Sequence, residues 1–258
     1  MFTEGVLLAF GLYLTRCSVF VLAAPLYGSA SGFSGYKLGM IGALSVVFYG
    51  LWGEPVTLEG PVFEYLLFMF REALIGFFLA FVLQAVIIAL RVAGELIGQE
   101  MGLNISNQVD PVSGINTPLI TRLYEAFFYI SFLSVDGHHG LLRAVGRTFE
   151  RAPVGKADLD APVMEFVGTL FAQLFNAGLT FAAPVLVVLA LVTVLSGLLA
   201  RAVPQLNVLE LSFTLRVAFA LIAMLIFAPM LAPALDSLFA RLDEALEGAL
   251  IVIGGERG

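Results

Sequence analysis

The side chains that could do chemistry in this chain are few, and their spacing does not assemble a catalytic group. Both histidines are adjacent, in Asp136-Gly137-His138-His139, and the single cysteine, Cys17, lies in an apolar stretch. Nucleophilic catalysis needs a nucleophile, a base and a group that orients the base, and no such set is recognisable. The sequence has neither a Walker A motif nor a His-Glu-x-x-His motif. It therefore predicts a protein that is not an enzyme.

The two adjacent histidines are the natural place to look for a metal site. Adjacent residues of a helix do not share a face, and no cysteine, glutamate or third histidine stands beside them to complete a ligand set. The preceding Asp136-Gly137 is typical of a turn at a helix terminus. We therefore predict a helix-terminal turn, with neither a metal ion nor an organic cofactor.

Isolated charged residues interrupt the apolar stretches. A lone charge at the centre of a bilayer costs about 2.5–3.5 kcal/mol. These side chains are therefore expected to face protein, water or a partner, and the chain is expected to sit among other subunits rather than among lipid tails. They are Arg16, Arg71, Glu72, Arg91, Glu95, Glu100 and Arg216. Arg91 and Glu95 are four residues apart and can pair along one helix.

The composition of the 258-residue chain is also poor in charged side chains. Apolar residues make up 60% and charged residues 13% of the chain, and its net charge is −7. Soluble domains usually contain about 45–50% apolar and about 25% charged residues. The mean hydropathy is +0.97. These values exclude a disordered chain, a basic nucleic-acid-binding protein and an ordinary cytosolic enzyme. They indicate an integral membrane protein or one buried in a membrane-associated complex.

Uncharged runs recur along the chain, and none alternates as a strand would, so the chain is predicted to be helical throughout. The run 166–200 would be roughly 50 Å long as one straight helix, beyond the ~30 Å core of a bilayer. Pro184 lies near its centre, so either two spans meet there or one long helix kinks. Basic residues in 143–162 and at Arg201 favour two spans under the positive-inside rule.

Gly94, Gly98 and Gly102 recur every four residues and so share one helical face. A face without side chains lets another helix approach closely, and we predict a packing surface. An irregular loop is predicted next, at 103–118, because prolines, a glycine and turn-forming residues break the helix. Its apolar residues are too frequent for a plain solvent loop. Irregular backbone at membrane depth survives only against protein or a water-filled path, so we expect a buried or pore-facing loop.

The segment Arg201-Ala-Val-Pro-Gln-Leu-Asn207 separates two strongly apolar helices. Pro204 stops the first helix and Asn207 can cap the second. We predict a hairpin tip, formed by Arg201, Pro204, Gln205 and Asn207. Arg201 agrees with the positive-inside rule, so the tip is expected to face the cytoplasm.

Three stretches, taken in order, resemble the FliR/SctT family of type III export apparatus subunits. They are Ala93-Gly94-Glu95 through Met101-Gly102-Leu103 with Asp110-Pro111, then Gly137-His138, then Arg201 through Asn207. Arg16 and Ala24-Pro25-Leu26 resemble the N-terminal segment of that family, so the resemblance covers essentially the whole chain. One departure follows Asn207, where the family often has a Phe and then a Gly-Phe-Pro, and this chain has Val208 to Leu215.

The resemblance implies an all-α fold of membrane-associated, kinked helical hairpins within a helical export-gate assembly. Residues 1–160 would be a FliP-like part, and residues 161–258 a FliQ-like hairpin with its tip near 201–207. It favours one long kinked helix over 166–200, against the charge rule. It also implies that the 103–118 loop projects into the channel and helps to plug it. The gate-loop residues would be Ile105, Val109, Asp110, Pro111, Val112, Gly114 and Ile115.

The function implied is that of a core subunit of the type III protein export gate, in the flagellar basal body of the bacterial inner membrane. It would form the channel for unfolded substrate proteins with FliP and FliQ homologues, and would meet FlhB and FlhA homologues but no nucleic acid. The flagellar branch is favoured because it is more widespread, with a virulence SctT subunit as the alternative. A stand-alone secondary transporter fits the buried charges, but no inverted repeat is clear. An intramembrane enzyme lacks a catalytic set.

Overall fold

The computed structural model describes residues 2–27, 35–56, 62–103, 119–155, 163–203 and 208–254. Within these ranges every regular element is a helix and no strand occurs, so the predicted all-α class is confirmed. A short 3₁₀ turn, Pro25–Tyr27, follows the first helix. The helices are α1 (Phe2–Ala23), α2 (Gly35–Trp52), α3 (Val62–Glu100), α4 (Leu119–Ser134), α5 (Gly137–Arg151), α6 (Val163–Ala202) and α7 (Val208–Gly254).

The long uncharged run forms one helix. α6 is continuous over 40 residues with Pro184 inside it, so the division into two spans that the charge rule favours is wrong. Proline removes one backbone hydrogen bond, and the rest of the ladder on both sides holds the helix together.

α7 extends well beyond the uncharged run 217–235 of the sequence, for 47 residues. Charged residues continue it without a break because its apolar residues keep a helical spacing and are buried, while the charges between them are exposed. The buried leucines of this stretch are Leu235, Leu238, Leu242, Leu246 and Leu250.

Among the residues that the structure describes, four helical segments are long and apolar enough to cross a membrane: Gly5–Ala23, Val62–Glu100, Glu165–Ala202 and Glu210–Met230. The most apolar window of α3 is 61% buried, whereas those of α6 and α7 are 28% and 11% buried. α3 is therefore a core helix of this chain. The apolar faces that α6 and α7 leave exposed are of the kind that contact lipid or another protein.

The chain divides into two compact units. The first consists of Met1–Ala85, Val135–Leu170 and Ala240–Gly258. Its core is aromatic: the Tyr13 ring of α1 stacks on Phe149 of α5, with centroids 4.6 Å apart, and meets Tyr49 of α2 edge-on. The Tyr13 hydroxyl also donates to the carbonyl of Trp52, at 2.8 Å. These contacts fasten α1, α2 and α5 together.

The second unit consists of Val86–Ser134 and Phe171–Phe239. The later part of α3 lies so close to α6 that a Cβ added at Gly178 would overlap the Ala89 carbonyl oxygen. Phe128 of α4 packs on Phe239 of α7, with ring centroids 5.5 Å apart. The prediction that residues 1–160 are FliP-like and 161–258 FliQ-like concerns likeness to other subunits, and it stays a prediction.

Candidate functional site

Helices α3 and α4, which flank the predicted gate loop, are held together by a close backbone contact and an ion pair. A Cβ added at Gly94 of α3 would lie 2.5 Å from the Thr121 Cα of α4, well inside van der Waals contact. Within one helical turn, the Arg91 guanidinium pairs with the Glu125 carboxylate. The sequence offered Glu95 as a partner for Arg91, but the α4 carboxylate takes that place. The distance between α3 and α4 is therefore fixed close to the segments that flank the loop.

The predicted glycine stripe is only partly a surface between these two helices. Gly94 and Gly98 are buried, and Gly94 makes the contact with α4. Gly102 lies after the last residue of α3 with φ +75°, a left-handed conformation that suits glycine and ends the helix. A Cβ there would be 3.3 Å from the Phe213 ring of α7. The role of the stripe in assembly with other subunits stays a prediction.

Gly94→Ala is expected to destabilise the chain by about 1–3 kcal/mol, because the added methyl group overlaps the α4 backbone. The matched control is Gly197→Ala in α6, where a Cβ meets nothing within 4 Å. That change is expected to stabilise by about 0.5–1 kcal/mol, since alanine favours helix. Unfolding midpoints of the two variants in detergent measure this. Equal shifts of the same sign would contradict the close-contact interpretation.

The gate-loop residues predicted from the resemblance, Ile105, Val109, Asp110, Pro111, Val112, Gly114 and Ile115, lie outside the described residues. Described chain resumes at Leu119, the first residue of α4. The structure therefore gives the two ends of the loop, and its gating role stays a prediction.

The predicted hairpin tip is described only at its start. Arg201 is exposed in the last turn of α6, as expected. Pro204, Gln205 and Asn207 lie outside the described residues, and α7 begins at Val208. A cytoplasmic position for this tip stays a prediction.

An apolar cavity of about 480 Å³ lies between α4, α6 and α7 in the second unit. Its lining is almost free of polar groups. Burial raises the pKa of the Tyr124 phenol, so this lining residue brings no charge. The other lining residues include Leu123, Phe127, Thr180, Phe181, Pro184, Leu221 and Leu225.

A fully buried ion pair lies in the first unit. The side chains of Arg16 in α1 and Glu72 in α3 are 0% and 1% exposed. Arg16 Nε donates to Glu72 Oε2 at 2.6 Å, Nη1 to Thr148 Oγ1 at 3.1 Å, and Nη2 to the Ala152 carbonyl at 3.0 Å. The guanidinium also lies over the Phe149 ring, 4.3 Å from its centroid. One charged group thus joins α1, α3 and α5.

The second oxygen of the Glu72 carboxylate is also satisfied. Glu72 Oε1 accepts a hydrogen bond from the backbone N–H of Gly155, at 3.1 Å. Gly155 has φ +78°, so a residue with a side chain would be strained there. A buried charge is tolerated when it is paired and its remaining hydrogen-bonding capacity is used, and both conditions hold here.

The outer face of α5 is strongly basic. Arg143, Arg147 and Arg151 are exposed on it, and Glu247 of α7 pairs with both Arg147 and Arg151. The buried face of the same helix packs on the middle of α1, against Tyr13 and Arg16. Three arginines at the level of a bilayer centre would each cost about 2.5–3.5 kcal/mol. Exposed arginines make this face of the first unit unfavourable for contact with lipid tails.

The predicted turn at Asp136-Gly137 is confirmed at the start of α5. Asp136 is left-handed, with φ 56°, and its carbonyl accepts a hydrogen bond from the His139 N–H at 2.9 Å. The turn brings the Asp136 carboxylate and both imidazoles together. The sequence interpretation missed Asp136 as a neighbour of the histidines because it considered only positions on a regular helix.

The sequence of the chain is similar to those of known bacterial proteins. A family model described as bacterial export proteins, family 1, matches residues 7–242. The flagellar biosynthetic protein FliR of Bacillus subtilis (strain 168) is 30% identical over 249 residues, which cover 95% of this chain and 96% of the relative. The protein of the same name from Escherichia coli (strain K12) is 30% identical over 90% of this chain and 89% of its own length. The surface presentation of antigens protein SpaR of Shigella sonnei is 28% identical over 62% of each chain.

The helical fold, the apolar spans and these relatives define a membrane-associated subunit of a type III export apparatus. Within that class, the chain belongs to the bacterial export proteins, family 1, whose matched members include the FliR proteins. The predicted family is thereby confirmed. The relatives are named for flagellar biosynthesis and for the surface presentation of antigens, and neither name describes a reaction.

Proposed function

We propose that this chain is a core, non-enzymatic subunit of the flagellar export gate in the bacterial inner membrane. There it forms the channel for unfolded proteins together with FliP and FliQ homologues, and meets FlhB and FlhA homologues. The observation that carries the proposal is the near full-length similarity to two FliR proteins. The chain's own surface supports it, because α6 and α7 leave apolar faces that need a cover.

The charged outer face of α5 supports a multi-subunit setting as well. A protein that functioned alone in lipid would have to keep Arg143, Arg147 and Arg151 away from the hydrocarbon. In an assembly, other subunits or water cover that face. The Gly94–Thr121 contact and the Arg91–Glu125 pair, here called the clamp, hold α3 and α4 together. These helices flank the gate loop, so the clamp supports a plug that is attached to a fixed helix at each end.

Two other functions remain distinguishable. The match to SpaR covers 62% of each chain. It supports the alternative that this chain serves a virulence secretion system rather than a flagellum. A stand-alone transporter would account for the buried Arg16–Glu72 pair as part of a solute site. However, the pair has its hydrogen bonds satisfied by the chain itself, which leaves little for a solute to bind.

Gentle detergent extraction from the native membrane tests the proposal. We expect the tagged chain to elute in one large complex that contains FliP and FliQ homologues, and its absence to abolish flagellar assembly. The matched control is the same tag on an unrelated membrane protein of similar size. Elution of the chain as a monomer or small homo-oligomer, with flagella intact in its absence, would reject the export-gate function.

A further inference from the structure

We propose that Asp136, His138 and His139 form a surface site for a divalent transition-metal ion. One ligand atom from each residue lies within 4.8 Å of the others. Asp136 Oδ1 and His139 Nδ1 are 3.3 Å apart. Two ligands that each lie about 2.0–2.1 Å from a tetrahedral ion are separated by about 3.3 Å. This pair therefore already has the spacing that one shared ion imposes.

The backbone explains how three nearly consecutive residues converge. Asp136 precedes the first residue of α5 in a left-handed conformation, with φ 56° and ψ 27°. Its carboxylate occupies the N-cap position but makes no capping hydrogen bond. It meets the His139 ring one turn along instead. A side chain that gives up the capping role usual for aspartate is left available as a ligand.

The His138 ring adds an independent observation. Its Nδ1 is buried, and among the described residues it has no hydrogen-bond partner. Buried ring nitrogens are nearly always satisfied, so this atom calls for a partner that the described part of the chain does not supply. The two imidazole rings lie beside each other, with centroids 4.1 Å apart. One possible ligand nitrogen of each ring lies within 4.8 Å of the other and of an Asp136 carboxylate oxygen.

The donor set selects the class of ion. Two imidazoles and one carboxylate suit zinc, cobalt, nickel and copper, whereas magnesium and calcium prefer oxygen ligands only. Three protein ligands leave one tetrahedral position for water or for a side chain of a neighbouring protein. The competing interpretation is an ordinary ion pair of Asp136 with a protonated His139. Both side chains are more than half exposed, so such a pair contributes about 0–1 kcal/mol.

Cobalt(II) titration of the purified full chain, carrying a tag without histidine, tests the proposal. The chain has only these two histidines, and its one cysteine is buried, so imidazole ligation is assigned without ambiguity. We expect saturable one-to-one binding with a Kd on the order of 10 µM or tighter, and visible absorption bands of tetrahedral cobalt. Zinc should displace the cobalt, and magnesium should not.

The variants separate a three-ligand site from an ordinary histidine pair. Asp136→Asn keeps both imidazoles and loses no capping bond, and is expected to weaken binding by about tenfold or more. His138→Gln is expected to do the same. Asp243→Asn, an exposed aspartate of α7, is the matched control and should bind as the unchanged chain does. No saturable binding, or equal affinity of Asp136→Asn and the unchanged chain, would overturn the proposal.

Discussion

Arg16→Met is expected to destabilise the chain by about 3–5 kcal/mol, because it leaves the Glu72 carboxylate buried without its counter-ion. Glu72 would then keep only the hydrogen bond from the Gly155 N–H. Typical unfolding free energies are only about 5–15 kcal/mol. The variant should therefore lose much of its stability, seen as a lowered unfolding midpoint and rapid proteolysis in detergent.

Two further variants isolate the cause. Arg16→Met combined with Glu72→Leu removes both charges, and is expected to recover most of the loss because no buried charge is left alone. Arg91→Met breaks the pair with Glu125. Because the Arg91 side chain is 40% exposed, the variant is expected to lose only about 0–1 kcal/mol of stability. If Arg16→Met lowered the stability as little as Arg91→Met, the buried pair would not be what holds α1, α3 and α5 together.

Deletion of residues 105–115 is expected to leave the gate assembled but permeable to small solutes. Apolar residues at a constriction resist wetting, so a gate without them should fill with water. The deletion leaves seven residues between Glu100 and Leu119, and connections of about 2–8 residues commonly join packed helices. The Gly94–Thr121 contact and the Arg91–Glu125 pair lie outside the deletion, so the clamp between α3 and α4 remains.

Single-channel conductance of the purified complex in planar bilayers measures the leak. Replacing 105–115 with a glycine–serine segment of equal length is the control, since it restores the length without the apolar side chains, and it should leak as well. If the loop instead buttresses a neighbouring subunit, the deleted complex should fall apart without conducting. An assembled, ion-tight gate without the loop would reject the plug.

The sequence predicted the fold class because apolar runs and proline positions are local signals. It placed the breaks after α3 and after α6 within a few residues of the described helix ends. The last uncharged run is shorter than α7, because the charges that follow it occupy exposed positions of the helix such as Glu244 and Glu247. Over 166–200 the charge rule favoured two spans, because it takes no account of how one long helix can tolerate Pro184, whereas the family resemblance favoured the single helix that α6 forms.

The site was less predictable because its contacts join residues far apart in sequence. Arg16 and Glu72 were recognised as charges that need a partner, but they are 56 residues apart and their pairing depends on how α1 packs on α3. The partner of Arg91 likewise comes from α4 rather than from its own helix. Glu247, which serves Arg147 and Arg151, carried no signal at all, since a glutamate near the end of an amphipathic helix looks like any solvated residue.

Pro184 of α6 and Pro229, the first of two prolines inside α7, each leave one peptide carbonyl without its usual donor. In an α-helix each N–H bonds to the carbonyl four residues earlier, so Pro184 cannot serve Thr180, and Pro229 cannot serve Leu225. Both of these residues line the apolar cavity beside α4. The side chains that line this cavity are almost all apolar, and two of its lining residues have a carbonyl that lacks the donor of a regular helix. A molecule that occupies the cavity and carries hydrogen-bond donors can pair them with these two carbonyl oxygens wherever they face it.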